Sequence, residues 1–149
     1  MRIGVDIMGG DFAPEATVLG TILAQKQLPP DVKLVLFGPK DKIEEILNRE
    51  NVDKNLFDIV DAQQVIEMGD HPAKAFAAKP NSSIAMGFGY LQKKMIDGFA
   101  SAGSTGAMLV GAMYTIKAIP GVIRPCISTE MPQFEGTPTL LLDVGLNAD

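Results

Sequence analysis

A short apolar run, a glycine-containing loop and a helical pattern recur in that order along this chain, and the alternation constrains its fold more than any other feature. Ile3 to Met8 is a run of strand type, closed by Gly9-Gly10-Asp11. Pro14 suits the first turn of a helix reaching Gln27, because its fixed φ and missing N–H cost nothing there. Apolar Val18, Ile22 and Leu23 recur there at helical spacing. Lys33 to Phe37 forms the next run, stopped by Gly38-Pro39, and Asp41 to Arg49 follows as an amphipathic helix with Ile43, Ile46 and Leu47 facing inward. Phe57 to Val60, Phe99 to Ala102, Pro125 to Thr129 and Thr139 to Val144 read as the remaining strands. Helices are expected from Asn81-Ser82-Ser83 to Ile96 and over Ala107 to Lys117. The ambiguous stretch from Asp61 to Pro80 has room for a short strand near Val65-Ile66 and a short helix over Ala73 to Ala78. Strands alternating with helices need crossover connections, which give parallel pairing and helices on both faces of the sheet. The expectation is a single α/β domain over residues 1–149, a three-layer sandwich around a mostly parallel sheet.

Composition narrows the function classes. The net charge of −5 argues against a non-specific nucleic-acid binder, which needs a basic footprint. With 46% hydrophobic and 21% charged residues a packed core is expected, not disorder. Cys126 is the one cysteine, so no internal disulfide framework exists and a reducing cytoplasm is the simple reading. Lying in an expected strand, Cys126 reads as a core residue, and the eight methionines read as core filling. No apolar run approaches the ~20 residues that span a bilayer. The Met108 to Ile116 helix is apolar on most sides. A buried helix explains that best, with peripheral membrane contact left open. No Cys/His cluster has metal-ligand spacing, and neither a metal nor an organic cofactor is implied.

The strongest local signal for chemistry is Ser101-Ala102-Gly103-Ser104-Thr105-Gly106. An expected strand precedes it and an apolar helix follows. The unpaired N–H groups of a helix's first turn, with the positive end of its dipole, favour an anion. Gly103 and Gly106 allow close backbone approach, and Ser101, Ser104 and Thr105 add hydroxyls. The loop lacks the Lys-Ser/Thr pair of a Walker A loop and the spacing of a dinucleotide fingerprint. A tight turn with Ser104 or Thr105 as N-cap is the competing reading.

Three further places compete with plainer readings. Asp6 and Asp11 flank Gly9-Gly10 at the carboxyl end of the first strand, where ligands of open α/β sheets bind. They could hold a metal, orient a hydroxyl or steer another residue, and Asp11 could equally cap the next helix. Lys79 with Ser82 and Ser83 stands at another helix start, either as a second anion site or as an N-cap beside a solvated lysine. Asp143, Gly145 and Asn147 follow the last strand, facing the same cleft or serving only as turn residues. His71, the sole histidine, lies in a loop and reads as exposed.

Taken in order, Asp6-x-Met8-Gly9-Gly10-Asp11-x-Ala13-Pro14, Asn81-Ser82-Ser83, Ser101 to Ala107, Arg124-Pro125 and Leu142 to Asp149 resemble the amino-terminal half of the PlsX-type phosphate acyltransferases. The resemblance runs the length of the chain. It implies a fold like that of isopropylmalate dehydrogenase and the phosphotransacetylases. It also implies acyl transfer from acyl-[acyl carrier protein] to inorganic phosphate, giving acyl phosphate for phospholipid synthesis. A cytoplasmic homodimer, in some members peripherally membrane-bound, is the family's usual form. Carried over by position, the resemblance puts Asp6, Gly9, Gly10, Asp11, the Ser101 to Gly106 loop, Asp143, Gly145 and Asn147 at the cleft. Three positions depart from it: Ser104 stands where asparagine is usual, Leu146 where alanine is, and Ala77 where arginine is. No general base is singled out, since phosphate is itself an anionic nucleophile. Members are markedly longer, so the chain reads as an incomplete part of an enzyme, and inactive alone. A phosphotransacetylase acting on acyl coenzyme A, and a non-catalytic phosphate- or nucleotide-binding module, are the alternatives.

Overall fold

Strand β2 (Lys33–Gly38) pairs in parallel with β1 (Arg2–Asp6) on one side and with β3 (Asp58–Asp61) on the other. β4 (Gly98–Ala100) pairs in parallel with the free side of β1, giving the order β3-β2-β1-β4. The structure is a computed structural model that describes residues 1–123 and 125–143. It divides into two compact units, Met1–Ile116 and Lys117–Asp149, and the parallel sheet belongs to the first.

The continuous apolar run of β2 follows from its central place. Successive side chains of a strand point to opposite faces, so a strand covered on both sides is apolar at every position. Leu34 and Leu36 enter a layer with Ile7, Val18, Ile22, Ile43 and Leu47, supplied largely by α1 (Glu15–Gln27) and α2 (Lys40–Arg49). Val35 and Phe37 enter the opposite layer beside Ile96, with Met86, Tyr90 and Phe99 packed against them. There the ring of Phe37 meets Tyr90 and Phe99 edge-on, at centroid distances of 5.1 and 5.7 Å. Such edge contacts are the favoured geometry for aromatic pairs. A neighbouring cluster of Ile66, Ala75, Ile84, Phe88 and Ala107 joins α3 (Pro72–Ala78), α4 (Ser83–Gln92) and α5 (Thr105–Gly111). Full burial of each large aliphatic or aromatic side chain contributes about 1.5–3 kcal/mol.

The α/β layering is the expected one, and several local readings change. Leu23 is 60% exposed while Thr21 is buried. At 100° per residue Leu23 lies well over a right angle from the Val18–Ile22 stripe, so its apolar character did not mark the buried face. The expected Val65-Ile66 strand reduces to an isolated parallel bridge between Gln64 and Ser82. α4 ends at Gln92, short of Ile96. Its Gly87 has a packing reason: a Cβ there would lie 2.2 Å from the ring of Phe99.

α5 gives way to a π-helical turn over Ala112–Ile116, where the Thr115 hydroxyl donates to the Gly111 carbonyl. Side-chain bonds of that kind compete with the backbone ladder. This stretch is not the buried helix expected, because Met113, Tyr114 and Ile116 are exposed. Among the described residues no helix is long and apolar enough to cross a membrane.

Methionine fills less of the core than expected, with Met86 and Met108 packed half-buried against it. None of the eight is buried, and Met1, Met68, Met95, Met113 and Met131 are exposed. Branched and aromatic residues fill the interior instead.

In the second unit, β5 (Ser128–Met131) and β6 (Thr139–Leu142) pair with each other antiparallel, in the register Ser128↔Leu142 to Met131↔Thr139. No helix separates these strands; the Gly136-containing turn between them permits a hairpin, beside the parallel pairing of the first unit. Pro125 to Ile127 lie outside the strand and Cys126 is exposed, so a core role for it fails.

Candidate functional site

The carboxyl ends of β1 and β4 are adjacent because these strands are parallel neighbours, with Val5 paired to Ala100. One step further stand Asp6 and Ser101. Asp6 is only 2% exposed, and its two oxygens are both engaged. Oδ1 accepts the Met8 N–H at 2.9 Å, which turns the chain after β1. Oδ2 accepts the Ser101 hydroxyl at 2.7 Å, and Ser101 Oγ in turn accepts the Gly103 N–H at 2.9 Å. The buried carboxylate thus ties the two strand-end loops together, and hydrogen bonds to a charged group contribute about 1.5–3 kcal/mol each. Sequence reasoning allowed Asp6 to hold a metal, orient a hydroxyl or steer another residue; the geometry shows it orienting the Ser101 hydroxyl.

Close approach of the loops requires Gly9. A Cβ on it would lie 2.7 Å from Asp6 Oδ2 and from the Gly103 nitrogen, distances that real Cβ atoms do not show. Gly10 adopts φ 106°, a conformation open to glycine alone in practice. Asp11 is exposed and does not cap α1, whose N-cap position is taken by Pro14 without a side-chain bond.

Ser104 is the N-cap of α5. It is 4% exposed, and its Oγ accepts the Ala107 N–H at 3.3 Å. Thr105 is exposed. At Gly106 a Cβ would lie 2.5 Å from Cγ of Pro72, so its small size serves the contact between α5 and α3. The capping reading of this loop is therefore realised, and it coexists with the anion reading. One capped donor leaves the other first-turn N–H groups without intrahelical partners.

Met8, Gly10, Asp11, Gly103 and Ser104 form one side of a pocket of about 370 Å³. Its other wall is Val65, Ile66, Glu67, Met68 and Gly69. Sequence reasoning missed that wall, because a loop without periodicity announces neither a strand nor a helix. The signal available was Gly69-Asp70-His71-Pro72, a turn leading into a helix with proline in its first turn. Among the described lining residues Asp11 and Glu67 bring carboxylates and none is a lysine or arginine.

Lys79 lies elsewhere. Its Nζ donates to the Asp70 carboxylate at 2.6 Å and to the Val65 carbonyl at 2.8 Å. The hydrogen bond from Lys79, then that from the Glu67 N–H, holds the Asp70 carboxyl below the usual carboxylate range. Ser82 and Ser83 are buried, and Ser82 caps α4 by accepting the Ala85 N–H at 3.3 Å. Neither serine lines the pocket. His71 is exposed at the N-cap position of α3. In the second unit Asp143 follows β6 with φ 60°, and its N–H donates to the Ile127 carbonyl at 2.6 Å. Gly145, Asn147 and the motif residues Arg124 and Leu146 lie outside the described residues.

Comparison with known proteins agrees with this architecture. The family model described as "Fatty acid synthesis protein" matches residues 1–149. A curated relative named phosphate acyltransferase from Dictyoglomus thermophilum is 40% identical over 149 residues, covering 100% of this chain and 44% of the relative. Relatives of the same name from Caldicellulosiruptor bescii and Salinibacter ruber are 42% and 41% identical, covering 100% and 99% of this chain and 44% of each relative. The chain thus spans less than half the length of the curated relatives it matches. Among solved structures, EutD phosphotransacetylase from Staphylococcus aureus aligns with a TM-score of 0.62 at 19% identity, over 99% of this chain and 47% of that protein. At that identity the likeness concerns the fold.

Proposed function

The chain belongs to the fatty acid synthesis protein family, and on that premise we propose that the full-length protein carrying it transfers a fatty acyl group from acyl-[acyl carrier protein] to inorganic phosphate. The observation that supports this most directly is the Asp6–Ser101–Gly103 hydrogen-bond chain. It fixes two strand-end loops side by side and leaves Gly10, Gly103 and Ser104 along a pocket. Phosphate sits against the backbone of Gly10 and Ser104, since the Gly103 N–H is already given to Ser101 Oγ. One of its oxygens attacks the thioester carbonyl carbon, the carbonyl oxygen becomes an oxyanion, and the carbon–sulfur bond breaks. Acyl phosphate and the carrier's thiolate are the products, and the thiolate takes a proton from solvent. Placement of the two reactants and N–H donors directed at the oxyanion supply the acceleration, so no covalent enzyme intermediate is required.

The carboxylates of Asp11 and Glu67 oppose a phosphate dianion in the same pocket. Positive charge from outside this pocket therefore completes the site, and the 149-residue chain alone is inactive. Acyl carrier protein, a homodimeric assembly, a cytoplasmic location and peripheral membrane contact belong to the same proposal. The test is direct. Full-length protein is incubated with phosphate and either acyl-[acyl carrier protein] or acyl coenzyme A, and acyl phosphate is trapped with hydroxylamine. Product from the carrier-protein thioester is expected. Product from the coenzyme A thioester alone would replace this reading with a phosphotransacetylase, and nucleotide binding without turnover would replace it with a binding module.

A further inference from the structure

We infer that Lys79 is a positioning residue whose ammonium staples the Val65–Gly69 wall of the pocket for the acyl donor and does not ligate phosphate. The inference rests on the proposed acyl transfer and concerns the same pocket. Two of the three donors of the Lys79 ammonium are already used, on Val65 O at 2.8 Å and Asp70 Oδ2 at 2.6 Å. The same Asp70 oxygen accepts the Glu67 N–H at 2.9 Å, and the Asp70 N–H returns to the Glu67 carbonyl at 3.1 Å. One cation thereby grips both ends of the segment that forms the wall. The Lys79 and Asp70 side chains are 30% and 32% exposed, sheltered enough for the pair to hold a geometry.

Before Val65 a second fastening exists. The Gln64 N–H donates to Asn81 O at 3.2 Å, and the Asn81 N–H donates to Gln64 Oε1 at 3.0 Å. Lys79 and Asn81 lie on one short stretch, Lys79 at the carboxyl end of α3, so this stretch anchors the wall on both sides of Val65. Between the anchors the wall presents Val65 and Met68, apolar groups suited to an acyl thioester, while Ile66 is buried beneath in the core. Phosphate is served by the backbone of Gly10 and Ser104, which line the same pocket.

Kinetics of full-length protein separate the two roles. In Lys79→Met and in Asp70→Asn the KM for the acyl donor is expected to rise about tenfold, below the roughly hundredfold that a misplacement near 1 Å can cost. The KM for phosphate stays within experimental scatter, and Lys79→Arg restores most of the loss. A rise in the phosphate KM in Lys79→Met, without one in Asp70→Asn, would overturn the inference and make Lys79 a ligand. Unchanged KM values in both variants would overturn it as well. A wild-type protein that makes no acyl phosphate sinks the functional reading instead. The staple is then read in the 149-residue chain by hydrogen exchange, where Lys79→Met should accelerate the Glu67 and Asp70 amides while the β2 amides keep their protection. Equal acceleration everywhere, or none at those two amides, refutes the staple.

Discussion

Asp6 Oδ2 receives the hydroxyl of Ser101 at 2.7 Å, across 95 residues of sequence, inside a shell where Asp6 is 2% exposed. The contact lies where β1 and β4 end together, and it decides where the Ser101 to Gly106 loop begins. Replacing Ser101 by alanine leaves one carboxylate oxygen without a donor and the Gly103 N–H without its acceptor. Each buried group left unpaired costs about 1–3 kcal/mol, so Ser101→Ala should destabilise the fold by that order. Asp6→Ala should cost at least as much, because Met8 also loses its acceptor. A double-mutant cycle followed by urea unfolding should give a coupling of about 0.5–3 kcal/mol. Additive single effects would show that the loops are held by something else.

The Asp70–Lys79 pair sets a pH dependence of stability with a definite sign. Asp70 titrates below its ordinary value of 3.8 in the folded chain, held there by the hydrogen bond from Lys79. A depressed carboxyl pKa means the unfolded state binds the proton more readily, so acid favours unfolding. The contribution is full above the unfolded value and disappears as pH falls through the lower folded value. The stability difference between wild type and Asp70→Asn should accordingly be constant from neutral pH to mildly acid conditions, then shrink below the ordinary aspartate range. Denaturant midpoints measured along that pH series check it, and a difference that grows on acidification contradicts it.

α1 offers a comparison between neighbours of like chemistry. Ile22 is 7% exposed in the layer over β2, whereas Leu23 is 60% exposed. Ile22→Ala should cost about 2–5 kcal/mol through lost burial and the cavity left behind. Leu23→Lys should stay within about 0.5 kcal/mol, as surface substitutions usually do. Thermal or denaturant unfolding of the two variants distinguishes this orientation from the one suggested by apolar periodicity.

What the sequence could disclose follows from which interactions are local. β2 and α2 were legible because burial on two faces leaves an unbroken apolar run, Leu34-Val35-Leu36-Phe37, and burial on one stripe leaves a helical period, Ile43, Ile46 and Leu47. The strand-end loops at Asp6 and Ser101 were legible because glycine at a tight approach has few substitutes. Leu23 misled because α1 carries apolar residues around most of its circumference, so hydrophobicity there does not select a face. The partners of Lys79, Val65 and Asp70, were not legible, because they are set by the path of a loop with no period. The pocket wall at Val65 to Gly69 escaped for the same reason, since it becomes a wall only when tertiary contacts bring it opposite Gly10 and Gly103. Ser104 illustrates a third case: its capping of α5 is seen directly, and it also lines the pocket, which is compatible with the anion reading.

Two glycines in α4 give the sharpest separation of helix propensity from packing. Glycine inside a helix is less favourable than alanine by about 0.5–1 kcal/mol, so propensity alone predicts that alanine stabilises both positions. At Gly89 an added Cβ meets nothing within 4 Å, and propensity acts unopposed. At Gly87 the same Cβ would lie 2.2 Å from Cε2 and Cζ of Phe99. That ring is itself wedged against Phe37, at a centroid distance of 5.7 Å, and against Phe88, at 5.5 Å. It cannot withdraw without moving the aromatic layer that covers β2 and β4, and overpacking of a filled core costs about 1–3 kcal/mol. The overpacking term exceeds the propensity gain, so Gly87→Ala should lower stability while Gly89→Ala raises it by about 0.5–1 kcal/mol. Urea midpoints of the two single variants decide the matter. If both move upward together, the Phe99 ring has room that this packing denies it, and the account of why Gly87 interrupts a helix fails.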